Sequence, residues 1–268
     1  MFYKKLLSIV CMLAVVLFAG CSGTGTNGSM GTLTVEMTDA PIDSADAVNV
    51  VIERVEVNNE EDSKGWIVIN EPNKTYNLLK LVNGATTVLG SATLEPGTYS
   101  QIRLILAQEG HSVVIDGEEY AMMVPSGAQT GVKLNINAEI KPDVEYTILL
   151  DFDASRSVVA TGRNNPTIKY LLKPVIKATN KAITGSIAGT VSPVEALPVV
   201  YAIADSDTLA STIADTSSGD FKLIGLEEGS YTVSIDPRND AYQPESVDGV
   251  QVTVDETNDI GTVELSQN

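Results

Sequence analysis

Carboxylates are the most promising reactive groups in this sequence of 268 residues, which holds 35 Asp and Glu but only 17 Lys and Arg. Alternating apolar residues predict a strand over Val144–Phe152. This alternation places Asp151 and Asp153 on the opposite face, about 6.6 Å apart along the strand. If the turn with Asp39 and Asp43 lies close, four carboxylates could surround Ca²⁺, which prefers oxygen ligands. The competing interpretation is that these residues cap turns and end strands, in which case the protein has no metal site and no cofactor.

The other catalytic residue types are sparse. His111 is the single histidine, and no glycine-flanked serine accompanies it, so a Ser-His-Asp triad is the less favoured interpretation. Zinc sites need about three or four protein ligands, usually Cys and His, and the chain has too few of both. No Gly-rich phosphate loop follows a predicted strand. A glycosidase needs carboxyl groups facing each other across a sugar rather than adjacent on one strand. We therefore predict no catalytic residues and no enzyme.

The charge balance excludes one class of partner. The formal net charge is −18, whereas nucleic-acid binding draws its affinity from clustered Lys and Arg, so we expect no nucleic-acid partner. Apolar residues make up 43% of the chain, which is enough for hydrophobic cores and too much for a disordered acidic protein.

The first twenty residues have the pattern of an export signal. Lys4 and Lys5 supply a positive start, and Leu6–Phe18 is an apolar run. Because a membrane-spanning helix needs about 20 residues, this run is too short to cross a bilayer. Residues 1–20 are therefore predicted to be a cleaved signal peptide.

Cys21 follows this signal directly, and the segment LFAGC at residues 17–21 resembles the lipobox of bacterial lipoproteins. In that family the Cys thiol is acylated and becomes the new first residue, which implies that Cys21 is the lipidation site. Residues 21–31 would then form the lipidated Cys and a flexible Gly-rich tether. In that family Ser22 favours sorting to an outer membrane, so the expected location is the cell envelope. The alternative is an ordinary secreted protein with an incidental Cys.

The remaining sequence is dominated by strand signals. Period-two alternation is punctuated by Gly, Pro, Asn and Asp, and only residues 75–81 suggest a helical turn. A phase slip within Val48–Val57 predicts a bulge near Glu53 and Arg54, and Asp116-Gly117 predicts a tight hairpin turn. The other strands expected in this region are Leu33–Met37, Trp66–Ile69, Tyr99–Leu106, Ser112–Ile115, Tyr120–Val124, Val132–Ile136, Val144–Phe152 and Ile168–Lys177.

The apolar pattern is interrupted at residues 177–183, and a second series of seven short strands follows this interruption. The predicted fold class is therefore all-β, with two β-sandwich domains at residues 32–179 and 184–268. A core as small as the second one buries only about 60% of its unfolded surface, so we expect it to lean on its neighbour or on a partner.

The aromatic residues give weak signals for a site. Both regions contain the pattern Leu-Glu-x-Gly-[Thr/Ser]-Tyr, at residues 94–99 and 226–231, in which the Tyr hydroxyl can bond to backbone. Trp66 is interpreted as a core residue. Nothing in the sequence gathers the other candidate platform residues, Tyr120, Tyr170, Tyr201 and Tyr242, into one surface.

Two family resemblances cover most of the chain after the tether. Residues 189–191, 214–221 and 226–233 resemble the carboxypeptidase regulatory-like domains, although Leu197-Pro198-Val199 replaces the usual Gly-Ala pair. This resemblance implies a transthyretin-like, seven-stranded sandwich that serves as an auxiliary or binding unit without catalytic residues. Residues 33–41, 94–106, 151–154 and 172–176 resemble a bacterial lipoprotein domain of unknown function, the 4382 family.

Three functions remain open at this point. The leading hypothesis is a non-enzymatic, lipid-anchored protein of the bacterial envelope, expected at its outer membrane, that binds a protein or glycan partner. The runner-up is a hydrolase, with Asp39, Asp151 and Asp153 acting together with Ca²⁺. The third is a subunit of an adhesive surface assembly, in which an exposed strand edge pairs with another chain.

Overall fold

The computed structural model describes residues 29–40, 42, 45–59, 65–125, 131–161 and 169–268. The regular elements among these residues are almost all strands, which confirms the predicted all-β class. Their buried apolar side chains form two separate clusters, and each cluster lies between facing sheets. No helix in the described ranges is long and apolar enough to span a membrane. The predicted signal peptide and Cys21 lie outside the described residues.

The first sandwich contains two sheets. Sheet A has the order β13-β10-β1-β5, and sheet B has the order β11-β12-β8-β7-β2-β6-β9, with β3 and β4 also paired to β2. Their bounds are β1 (Gly31–Ala40), β2 (Ala47–Asn59), β3 (Trp66–Asn70), β4 (Lys74–Asn77), β5 (Thr87–Leu94), β6 (Gly97–Leu106), β7 (His111–Ile115), β8 (Glu118–Met123), β9 (Val132–Ile140), β10 (Glu145–Asp153), β11 (Val158–Ala160), β12 (Tyr170–Leu172) and β13 (Ile176–Asn180).

The second sandwich also contains two sheets, with the orders β17-β14-β20 and β16-β15-β18-β19. All seven predicted strands are present. The observed strands are β14 (Thr184–Ser192), β15 (Pro198–Ala204), β16 (Asp207–Ile213), β17 (Asp220–Glu227), β18 (Gly229–Pro237), β19 (Glu245–Val252) and β20 (Thr257–Glu264).

The sequence predictions that concern local backbone conformation are confirmed. The pairing of β2 with β6 shifts register between Ile52 and Arg54, which is the predicted bulge. Asp116 and Gly117 both have positive φ, 52° and 76°, and join β7 to β8 as a tight hairpin. The hydroxyls of Tyr99 and Tyr231 each donate to the carbonyl four residues earlier, at 3.0 and 2.8 Å. The predicted helical turn is a 3₁₀ turn at Leu78–Lys80.

Other sequence predictions were wrong in detail. The single strand expected over Ile168–Lys177 is two strands, β12 and β13, which belong to different sheets. Pro174 lies between them and has no backbone N–H for a ladder, so the strand cannot continue there. β4, β5, β11 and the helical turn α1 (Ala154–Ser157) were not predicted, because each is short or lacks a clear apolar period.

The two sandwiches pack against each other directly. Leu149 lies on the face of sheet A that points away from the first core, yet only 2% of it is exposed. It is covered by β17 of the second sandwich, where Gly225 approaches so closely that a Cβ there would lie 3.0 Å from the Leu149 side chain. Burying one Leu side chain in this way contributes about 2 kcal/mol. The second sandwich therefore buries part of its surface against the first, as expected from the small size of its own core.

Hydrogen bonds also join the two sandwiches at Asn83. The backbone N–H of Asn83 donates to the Thr212 hydroxyl at 2.7 Å. The Asn83 side chain then pairs with the edge of β17, since it accepts from Lys222 N–H at 2.5 Å and donates to the Asp220 carbonyl at 3.2 Å. Asn83 has φ 57°, a left-handed conformation that Asn tolerates well.

Candidate functional site

Three of the predicted acidic residues, Asp39, Asp151 and Asp153, lie at one end of sheet A. β1 and β10 run parallel, and their register places Thr38 beside Asp151, Asp39 beside Phe152 and Ala40 beside Asp153. Residues paired in this way share a face of the sheet, so Asp39 lies on the face of Phe152, whereas Asp151 and Asp153 lie on the opposite face. The register therefore brings Asp39 close along the strands but does not gather the three carboxylates on one face. Asp43, the fourth predicted ligand, lies outside the described residues.

Each of the three carboxylates has a different local role. Asp153 caps α1, since one of its oxygens accepts from Arg156 N–H at 2.9 Å and from the Ser155 hydroxyl at 2.7 Å. For Asp153 the capping interpretation is therefore correct. Asp39 Oδ1 accepts from Ala154 N–H at 3.0 Å, whereas its buried Oδ2 has no hydrogen-bond partner among the described residues.

Burial changes the acidity of the other two carboxyl groups. It raises the pKa of Asp151 to about 6, with a further increase from the nearby Asp153 charge and a partial offset from Lys177. Burial also raises the pKa of Asp39 well above its ordinary value, while its bond from Ala154 acts in the opposite direction. Asp39 is only 3% exposed, so its negative charge is costly at neutral pH.

The space beside these carboxyl groups is very small. A cavity of about 10 Å³ lies between the sandwiches and is lined by Thr38, Asp39, Asp151 and residues of β16 and β17. This volume is close to the minimum for one water molecule and far below that of a sugar ring or peptide group. The raised pKa values are of the kind that acid catalysts use, but a substrate has no room to reach them. This geometry argues against a hydrolase acting through Asp39, Asp151 and Asp153.

Within the described ranges, no group of three or more His, Cys, Asp or Glu side chains has the arrangement of a metal site. Any cation at the Asp39–Asp151 end of sheet A would therefore need hydroxyl or carbonyl oxygens as additional ligands. Such oxygens are suitable ligands for Ca²⁺.

His111 has a structural role at the start of β7. It is 1% exposed, its Nδ1 accepts from Val51 N–H at 3.1 Å, and its Nε2 contacts the Ala107 carbonyl at 2.8 Å. The first bond requires an unprotonated Nδ1, so the second assigns the proton to Nε2. Both ring nitrogens are occupied by backbone, and neither is available as a general base.

Three of the aromatic candidates lie in two places on the first sandwich, whereas Tyr201 and Tyr242 belong to the second sandwich. Trp66 is half-buried and lies beneath the Arg103 guanidinium, 4.3 Å from the ring centre. It is therefore neither a full core residue nor an open platform. Tyr120 and Tyr170 are neighbours, with ring centres 5.4 Å apart, because β8 and β12 pair in parallel. The sequence had no local signal for this long-range pairing.

Sequence reasoning also missed a large surface groove on the first sandwich. This groove of about 790 Å³ lies between β9, the edge strand of sheet B, and β13, the edge strand of sheet A. Its apolar lining includes Ile136, Ile148 and Ala178, which pack against the first core. We call it the edge groove.

A tyrosine links the two sides of the edge groove. The Asn180 side chain donates to the Tyr146 hydroxyl at 2.5 Å, and that hydroxyl donates to the Asn137 carbonyl at 3.0 Å. Charged side chains at the groove are mainly acidic, with Glu139, Glu145 and Glu227 against Lys141. The site is therefore an open, acidic groove with an apolar floor.

Comparison with known proteins gives one family and several distant structures. The family model described as Domain of unknown function (DUF4382) matches residues 30–174. A comparison with curated proteins finds no match. The resemblance of the second sandwich to carboxypeptidase regulatory-like domains stays a prediction.

Three solved structures show the extent of similarity. A mutant type II cohesin–X-dockerin complex from Acetivibrio cellulolyticus is 19% identical over 31% of this chain and 58% of its own, with a TM-score of 0.25. A minor pilin from Streptococcus agalactiae is 12% identical over 88% and 96%, with a TM-score of 0.23. A fimbrial protein from Bacteroides ovatus is 9% identical over 89% and 50%, with a TM-score of 0.22. These TM-scores are too low to define a shared topology.

The environment of His111 predicts how the stability of the folded protein changes with pH. Burial lowers the pKa of His111 below 6.5, partly offset by the Ala107 bond and the Glu53 charge. The unfolded chain takes up a proton near pH 6.5, whereas the folded protein does so only at lower pH. The contribution of His111 to stability is therefore complete above about pH 6.5 and declines as the pH falls through that value.

Because the chain has one histidine, its imidazole C2-proton resonance in an NMR titration reports this residue alone. We expect a midpoint below 6.5. A midpoint at or above that value would show that the imidazole is not held neutral by the Val51 and Ala107 contacts.

Proposed function

The chain belongs to the family described as Domain of unknown function (DUF4382), and we propose that it is a lipid-anchored, non-catalytic protein of the bacterial cell envelope that binds an extended basic polypeptide segment. The observation that carries this proposal is the edge groove between β9 and β13. The division into two β-sandwich domains at residues 32–179 and 184–268 is part of the same proposal.

The shape of the edge groove favours an extended polypeptide as its ligand. Both long sides are edge strands, and edge strands carry backbone donors and acceptors that can pair with an added strand. The apolar floor can accept every second side chain of such a segment, because side chains alternate between the two faces of a strand. A compact small molecule would leave most of the groove unfilled.

The acidic charge of the edge groove determines which extended polypeptides it favours. Its acidic side chains favour a segment with Lys or Arg through electrostatic complementarity. The net charge of −18 acts in the same direction over longer distances. An anionic glycan would be repelled by both, so a basic protein partner is the better fit.

Membrane attachment through lipid is the second part of the proposal. The segment at residues 17–21 supports acylation of Cys21, and Ser22 supports sorting to an outer membrane. Loss of residues 1–20 would remove Lys4 and Lys5 and make the protein more acidic. Anionic head groups would repel so acidic a protein, so attachment requires the acyl chains.

Replacement of the acylated thiol tests the anchor. In a Cys21→Ser variant we expect the protein to leave the membrane fraction and to lose incorporation of radiolabelled fatty acid, because no other group can carry the lipid. Cys11→Ser, within the signal segment, is the matched control and should retain both. Membrane association of the Cys21→Ser variant at the wild-type level would contradict the proposed anchor.

A photo-crosslinking residue placed in the edge groove tests the ligand. Val144 lines the groove and is 44% exposed, whereas Val88 on β5 is 56% exposed and lies on the opposite edge of sheet A. In intact cells we expect an adduct from position 144 and none from position 88. Mass spectrometry should identify a peptide that contains Lys or Arg.

Charge reversal at the rim of the groove is the second arm of this experiment. Because Glu139 and Glu145 supply the attraction, the double variant Glu139→Lys and Glu145→Lys should reduce the adduct by about tenfold or more. The control Asp259→Lys and Glu264→Lys on exposed β20 should leave it unchanged. A glycan adduct, a neutral peptide or insensitivity to the rim charges would refute the proposed ligand.

A further inference from the structure

We infer that the polypeptide ligand of the edge groove continues onto the second sandwich, where Glu227 binds a second basic side chain of the same segment and Ile183 contacts an apolar one. This inference rests on the function proposed above for the groove. Most of the groove is lined by the first sandwich, but Glu227 at the end of β17 and Ile183 in the turn between β13 and β14 line it as well. The recognition site is therefore shared by both sandwiches.

The register of β14 with β17 directs Glu227 toward the first sandwich. Glu227 is paired with Thr184, and residues paired in this way project from the same face of a sheet. Thr184 lines a separate cavity of about 280 Å³ together with Leu149 of sheet A, so this face is the one that packs on the first sandwich. Leu226, the preceding residue, points the other way into the second core and is 1% exposed.

A short 3₁₀ turn joins the groove to the second sandwich and positions Ile183. The Asn180 side chain accepts from Ala182 N–H at 3.0 Å and donates to the Tyr146 hydroxyl at 2.5 Å, so the turn is tied to the wall of the groove. Ile183 is the last residue of this turn, and 49% of it is exposed. An apolar side chain of the ligand can cover this surface and remove it from water.

Among the described residues, two carboxylates at the groove have no basic partner. Glu139 pairs with Lys141, the lysine that lines the groove, at 3.3 Å. Within the same described ranges, no ion pair involves Glu145 or Glu227. Glu145 belongs to the first sandwich and Glu227 to the second, so a ligand with one basic residue toward each end of its bound segment is complementary to both.

Photo-crosslinking from the far end of the groove tests this inference. The photo-reactive residue is placed at position 183, with position 197 as the control, because Leu197 is also an exposed apolar residue, at 39%, and does not line the groove. In intact cells we expect position 183 to capture the same partner as position 144, and position 197 to capture none. The two captured peptides should be adjacent in the partner's sequence, because one extended segment contacts both positions.

Charge reversal on the second sandwich is the other arm of this experiment. Glu227→Lys should reduce the adduct from position 144 by about fivefold. Glu228→Lys changes the adjacent exposed residue, which does not line the groove, and should leave the adduct unchanged. Both variants should keep the wild-type Tm, since both side chains are exposed.

The outcomes separate this inference from the function on which it rests. An adduct from position 144 that is absent at position 183, or that is insensitive to Glu227→Lys, would overturn the inference and leave the proposed function intact. Absence of the adduct at position 144 would overturn both.

Discussion

The parallel pairing of β1 with β10 is the constraint on which the rest of the structure depends. One face of this pair supplies Leu33, Val35, Met37, Leu150 and Phe152 to the first core, and all five are fully buried. On the other face, Leu149 is covered by the second sandwich, whereas Thr34 and Glu145 make hydrogen bonds at the surface. Parallel strands are usually buried on both faces, and here the cover over Leu149 comes from another sandwich instead of from helices.

The parallel register also determines what each face carries at this end of sheet A. It places Asp39 on the face of the first core with Phe152, and Asp151 on the opposite face with Thr38. On the opposite side of the same sheet, β13 ends at Asn180 and leaves an edge that faces β9. The edge groove therefore lies where the edges of sheets A and B face each other without pairing.

The sequence predicted those features that depend on neighbouring residues. Asp116-Gly117, the bulge after Ile52 and the shared face of Asp151 and Asp153 each reflect a turn preference or a two-residue period. It did not predict the Tyr120–Tyr170 contact or the role of Asn83, because both depend on packing between segments far apart in the chain. The edge groove was missed for the same reason, since it is formed by two strands that do not pair with each other.

The rigid packing of the second sandwich on sheet A is the central claim, and residual dipolar couplings of backbone amides test it most directly. If Leu149, Gly225 and Asn83 hold the sandwiches together, couplings from the strands of the first sandwich (β1–β13) and of the second (β14–β20) will fit one common alignment tensor. Two tensors that differ in magnitude or orientation would show that the sandwiches move independently, which would contradict this packing.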